Sequence, residues 1–109
     1  MAFNMSTVNV SFGFANVQST KLDVNCFVTS NIPDTDPPGF KKIKVRWRKK
    51  GTSRWSNNGA NTVHPASMGV AFTITGLSAN TEYEFKVRYK LVGMSLYRNL
   101  NSKYQRTLP

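Results

Sequence analysis

Apolar and polar side chains alternate with a period of two through most of this chain. Tyr83, Phe85, Val87 and Tyr89 interleave with Glu84, Lys86, Arg88 and Lys90, and Ile43, Val45 and Trp47 interleave with Lys42, Lys44, Arg46 and Arg48. Such a period belongs to a strand with one buried face. Weaker versions run through Val8, Val10, Phe12 and Phe14, through Leu22, Val24 and Cys26, and through Val70, Phe72 and Ile74. No stretch carries a convincing helical period. The pattern predicts seven short strands: Val8 to Val17, with Gly13 allowing a bend or bulge; Lys21 to Val28; Lys41 to Lys50, closed by Gly51; a short piece from Arg54 to Ser56; Val70 to Thr75; the strand of Tyr83; and Ser102 to Leu108.

Between these runs the composition changes to that of connections. Ser30 to Gly39 holds Pro33, Pro37 and Pro38 with Asp34 and Asp36, which stiffens a loop and forbids a ladder. A polar link follows from Asn57 to Ser67. There is no internal repeat and no low-complexity tract, so residues 1 to 109 read as one domain, long enough to bury a core without metals or crosslinks.

The turn before Tyr83 carries a resemblance. Gly76, Leu77, Ser78, Ala79 and Asn80 form a tight corner, followed by Thr81 and Tyr83. A strand crossing between sheets leaves backbone polar groups at the bend, and a phenolic hydroxyl there can satisfy one. The run is similar to the tyrosine corner of fibronectin type III modules, Gly-Leu-x-Pro-x-Thr-x-Tyr, with Ala79 in place of the usual Pro. Ile43, Val45 and Trp47 resemble the central strand of that family, and Ser102, Tyr104, Arg106, Thr107, Leu108 and Pro109 resemble its last. Cys26 stands where the family's second strand usually ends on a core Trp. The resemblance covers most of the chain and implies an immunoglobulin-like, two-sheet antiparallel sandwich of seven strands, with Cys26, Trp47, Leu77 and Tyr83 as structural residues. A lone Cys cannot form the intramolecular bridge of an antibody domain, which favours the fibronectin-like form.

Catalytic chemistry has no constellation to rest on. Cys26 lies in an apolar strand, where a Cys acts as a small hydrophobe. His64 is the only histidine and has neither the partners of a triad nor those of a metal site. Asp34 and Asp36 fall far short of the roughly six to eight oxygens of a calcium site. No Gly-rich phosphate loop occurs and no acidic pair is placed for acid and base work, so the chain is read as no enzyme, with no catalytic residues, metal or cofactor. No run approaches the roughly 18 apolar residues of a membrane span. Met1 to Thr20 carries no basic residue and does not read as a signal peptide. Asn4 and Asn9 begin Asn-x-Ser sequons that matter only on a eukaryotic secretory route.

Charge adds the functional signal. Fifteen Lys and Arg against five acidic residues give a net +10, more than solubility asks of a small domain. Lys42, Lys44, Arg46 and Arg48 point outward from one strand and Lys86, Arg88 and Lys90 from another. The resemblance implies that these strands are neighbours, so the cations would share one face as a surface for an anionic partner. Trp55, Tyr97 and Tyr104 are the aromatics left as stacking platforms. A second surface is the loop of Leu91, Val92, Met94, Leu96 and Tyr97, unusually apolar for a connection. These features imply a noncatalytic binding or structural module that recognises a protein or an acidic polysaccharide. Its setting would be an extracellular adhesive or receptor-like chain, or a virion or secreted assembly. A basic nucleic-acid-binding protein is the alternative, and an enzyme's accessory domain a third.

Overall fold

The computed structural model describes residues 8–31, 39–57, 61–62 and 68–109. His64, Asp34, Asp36 and Asn4 lie outside them. The described residues form two antiparallel sheets with no helix, and none of them builds a helix long and apolar enough to cross a membrane.

In the first sheet β1 (Val8–Ala15) pairs with β2 (Leu22–Ser30), and β2 with β6 (Gly69–Ile74). In the second, β3 (Phe40–Lys49) pairs with β7 (Glu82–Leu91) at the centre. The outer edge of β3 carries β4 (Ser56–Asn57) and β5 (Asn61–Thr62), and that of β7 carries β8 (Arg98–Asn99) and β9 (Lys103–Arg106).

Among the described residues nine strand segments stand where seven strands are expected from the sequence. The two additional ones are β5, inside the expected polar link, and β8, ahead of the expected last strand. β8 and β9 are set apart because Phe85 pairs with Lys103 while Arg88 pairs with Asn99, so three steps on β7 face four on its partner and Leu100 tucks against the core. The fourth begins at Ser56, later than the expected Arg54. Gly13 makes no bulge, since β1 stays in unbroken register with β2 from Val8↔Ser30 to Ala15↔Asp23. The bulge lies instead at Lys41, skipped between Phe40↔Leu91 and Lys42↔Lys90.

The alternation does what its period demands. Val8, Phe12, Leu22, Val24, Cys26, Val28, Ile43, Val45, Phe85, Val87 and Tyr89 fill the space between the sheets. Each large side chain removed from water there contributes roughly 1.5 to 3 kcal/mol. Phe14 packs on Phe85 with ring centroids 4.9 Å apart, joining the sheets across the middle. Cys26, opposite Phe12 on one side and Val70 on the other, is wholly buried, and burial pushes its thiol up to about 12. Trp47 is only half-buried at the margin of the core.

The corner before β7 is closed by hydrogen bonds. Gly76 at φ 73° and Asn80 at φ 49° take left-handed backbone conformations that turn the chain. Ser78 N–H donates to the Tyr83 hydroxyl at 2.8 Å, and the Thr107 hydroxyl donates to the Ser78 carbonyl at 2.6 Å while accepting from Thr81 N–H at 3.0 Å. Tyr83, Leu77 and Thr107 are all buried. The tail is thus fastened to the corner, and both backbone groups of Ser78 are satisfied.

Candidate functional site

Strand register assembles the candidate site. Along β3 and β7, Lys42 stands opposite Lys90, Lys44 opposite Arg88 and Arg46 opposite Lys86, with Arg48 opposite Glu84. Directly opposed residues of an antiparallel pair project from the same face. All seven cations named from the sequence therefore stand on the outer surface of the second sheet, in two adjacent rows.

Three of the four opposed pairs are cation against cation. Two unit charges about 6 Å apart in water repel by roughly 0.7 kcal/mol. Among the described residues no carboxylate pairs with any of these six side chains. The fourth pair is an ion pair, Arg48 Nε donating to Glu84 Oε1 at 2.8 Å. Burial raises the Glu84 carboxyl, its largest single influence. Hydrogen bonds from Arg48 and Ser102, with the charges of Arg48 and Lys86, together outweigh it and hold the group below its ordinary value.

Aromatic rings cover the cations. Continuing the β3–β4 register by one residue sets Trp55 opposite Arg48, and continuing the β7–β8 register sets Tyr97 opposite Lys90. The Trp55 ring has Arg48 Cζ at 4.3 Å, Arg46 Cζ at 4.8 Å and Lys86 Nζ at 5.2 Å from its centroid. Tyr97 has Arg88 Cζ at 4.4 Å and Lys90 Nζ at 4.8 Å. Tyr104, opposite Glu84 and half exposed, lies 5.4 Å from Lys50 Nζ. Each such contact stabilises by about 0.5 to 1 kcal/mol at an exposed site, enough to offset much of the repulsion. Arg88 Nε, closed off from solvent, has no hydrogen-bond acceptor.

The apolar loop divides. Leu91 ends β7 with no exposed surface, so it belongs to the core and offers a partner nothing. Met94 folds back against the core, its Sδ accepting from Leu91 N–H at 3.4 Å. Tyr97 joins the cationic face. Val92 and Leu96 are exposed, Leu96 at 76%. The sequence left the positions of Trp55, Tyr97 and Tyr104 open. The signal that would have placed them is cross-strand register, which depends on where the short edge strands begin.

Among the described residues no group of three or more His, Cys, Asp or Glu side chains is placed to hold a metal ion. At the corner end Trp47, Arg48, Lys49, Arg54, Leu77 and Tyr83 line an open groove of about 370 Å³.

No family model matches the sequence, and a search of curated proteins gives no match. Among solved structures, the sensor domain of an anti-sigma factor from Pseudobacteroides cellulosolvens is similar over 96% of this chain and 98% of its own, with a TM-score of 0.63 at 16% identity. A structure described as that of a myokine is similar over 91% and 94%, with a TM-score of 0.69 at 11% identity. A computationally redesigned β-sandwich protein is similar over 90% of both chains, with a TM-score of 0.59 at 19% identity. The class defined by fold is thus a small all-β sandwich of two antiparallel sheets.

Proposed function

We propose that this chain is a noncatalytic binding module of the fibronectin type III kind, engaging a polyanion or an acidic protein surface through the outer face of its second sheet. The reading of the family is supported by the corner of Gly76, Leu77 and Tyr83, whose hydroxyl accepts from Ser78 N–H. That of binding is supported by one observation above all: Lys42/Lys90, Lys44/Arg88 and Arg46/Lys86 stand as directly opposed cation pairs. An anion seated on them relieves that repulsion and releases condensed counterions, so affinity would fall steeply with salt. One similar structure is a sensor domain, a description that fits a module that binds without catalysing. The setting we infer is an extracellular adhesive or receptor-like chain, or a virion or secreted assembly.

The test is retention on a sulfated polysaccharide column. The triple variant Lys44→Glu, Arg46→Glu, Arg88→Glu is expected to lose retention. Lys21→Glu, Lys49→Glu, Arg54→Glu, with the same change in net charge, is expected to keep most of it. Lys103 is no control, because its Nζ donates to the Phe12 carbonyl at 2.6 Å and ties β9 to β1. Equal losses from the two triples would mean that overall charge alone is at work.

A further inference from the structure

We infer that the polyanion this face fits is a single-stranded nucleic acid, its bases stacking on Trp55 and Tyr97 while the cations take its phosphates. This rests on the reading of the face as an anion-binding surface and narrows it. A face that binds polymeric anions by charge alone needs cations and nothing else. Here two rings, neither of them core residues, are brought onto the cations from opposite edges of the sheet, Trp55 from beside β4 and Tyr97 from beside β8.

The geometry of each ring favours a planar partner. Arg46, Arg48 and Lys86 all lie within 5.2 Å of the Trp55 ring centroid, and Arg88 and Lys90 within 4.8 Å of that of Tyr97. Both rings are only partly buried, so each keeps aromatic surface in reach of solvent among the cations. Exposed aromatics set among cations are what a stacked base with a neighbouring phosphate requires. A sulfated sugar meets such rings only through its C–H groups and carries its charge around its rim, so its main gain is from the cations.

By register Trp55 is level with Glu84 and Tyr97 with Lys90, six residues apart along the strands, about 20 Å at about 3.3 Å each. An unstacked strand covers that interval in a few nucleotides, in line with a small site of about four. Among the described residues no ring lies over Lys42 or Lys44, which stand beside this path on β3 where phosphates would run. Duplexes hide their bases and would meet only the cations.

The experiment measures fluorescence anisotropy of a labelled short oligothymidylate and of an abasic oligomer of equal length, on the whole chain at low and moderate salt. The base-bearing strand is expected to bind about ten-fold more tightly or better. Trp55→Ala with Tyr97→Ala is expected to erase that difference while retention on the sulfated polysaccharide column persists, and Trp55→Phe with Tyr97→Phe to restore part of it. An unchanged circular dichroism spectrum and thermal midpoint show that each variant is folded. Equal binding of base-bearing and abasic strands overturns the stacking proposal and leaves the polyanion reading standing. Tight retention on the polysaccharide with no binding of either oligomer assigns the face to sulfated sugars and overturns it too. If the protein binds neither polymer, both readings fall.

Discussion

The corner around Ser78 and the outer face of the second sheet are both built on β7, and they treat polar groups in opposite ways. At the corner the Ser78 N–H and carbonyl, the Tyr83 and Thr107 hydroxyls and the Thr81 N–H all find partners inside the protein. On the face like charges stand opposed and Arg88 Nε goes without an acceptor. A satisfied buried network fixes one conformation. A surface of opposed cations works against the fold, and under the proposed function its gain would come only when an anion arrives. Stability and the proposed recognition then lie apart along a single strand.

The largest effect should come from breaking the corner. Thr107→Val removes the partner of both the Ser78 carbonyl and the Thr81 N–H and is expected to destabilise by about 2 to 4 kcal/mol, read from urea denaturation midpoints. Tyr83→Phe leaves the Ser78 N–H without an acceptor and should cost about 1 to 3 kcal/mol. Because the two side chains meet at one residue, the double variant should fall short of the sum. Polyanion affinity should be unchanged in every variant still folded. A midpoint unmoved by Tyr83→Phe would remove the corner from the account of stability.

How much of this contrast the sequence carries depends on the range of the interaction. Period-two alternation is local, so the inward sets of β1, β2, β3, β6 and β7 and the outward cations were legible residue by residue. The Tyr83 corner was legible because its residues lie within one turn. Thr107 was not, since its partners Ser78 and Thr81 lie far back in the chain and meet it only once the last strand has paired. For the same reason Trp55 and Tyr97 could be named as exposed aromatics but not placed over particular cations. Leu91 was misassigned to a partner loop because an apolar residue at a strand end reads the same whether the strand continues through it or stops before it. Gly13 allows a bend or bulge, yet β1 keeps its register through it, because permission is not requirement.

Glu84 sits where the two regions meet, and Glu84→Gln tests which of them it serves. Its carboxyl is held below its ordinary value, so it contributes stability that is present above the unfolded pKa of about 4.3. That contribution is lost as pH falls through the lower folded value. The wild type should therefore lose more stability than the Gln variant on acidification below about pH 5. At neutral pH the variant should be less stable by about 1 kcal/mol, since Arg48 loses its ionic partner. It should also be retained more strongly by a polyanion, because one more cation on the face is left without a carboxylate. Parallel pH profiles for the two proteins would mean that the Arg48 pair contributes nothing to folding.

The smallest expected change has the opposite sign. Lys44 faces Arg88 across the strands and is flanked by Lys42 and Arg46 on its own, yet no ring lies over it among the described contacts. Lys44→Gln removes repulsion and sacrifices no cation–π contact, so it should stabilise by roughly 0.5 kcal/mol at low salt. The gain should vanish near molar salt, where the Debye length falls to about 3 Å. The same variant should bind a polyanion more weakly and with a shallower salt dependence, by about one counterion. Weaker binding without the gain in stability would mean that the aromatic cover already neutralises the repulsion, and the face would then carry its charge at no expense to the fold. A gain in stability that persists at high salt would point instead to strand propensity as its source, because only charge repulsion is screened.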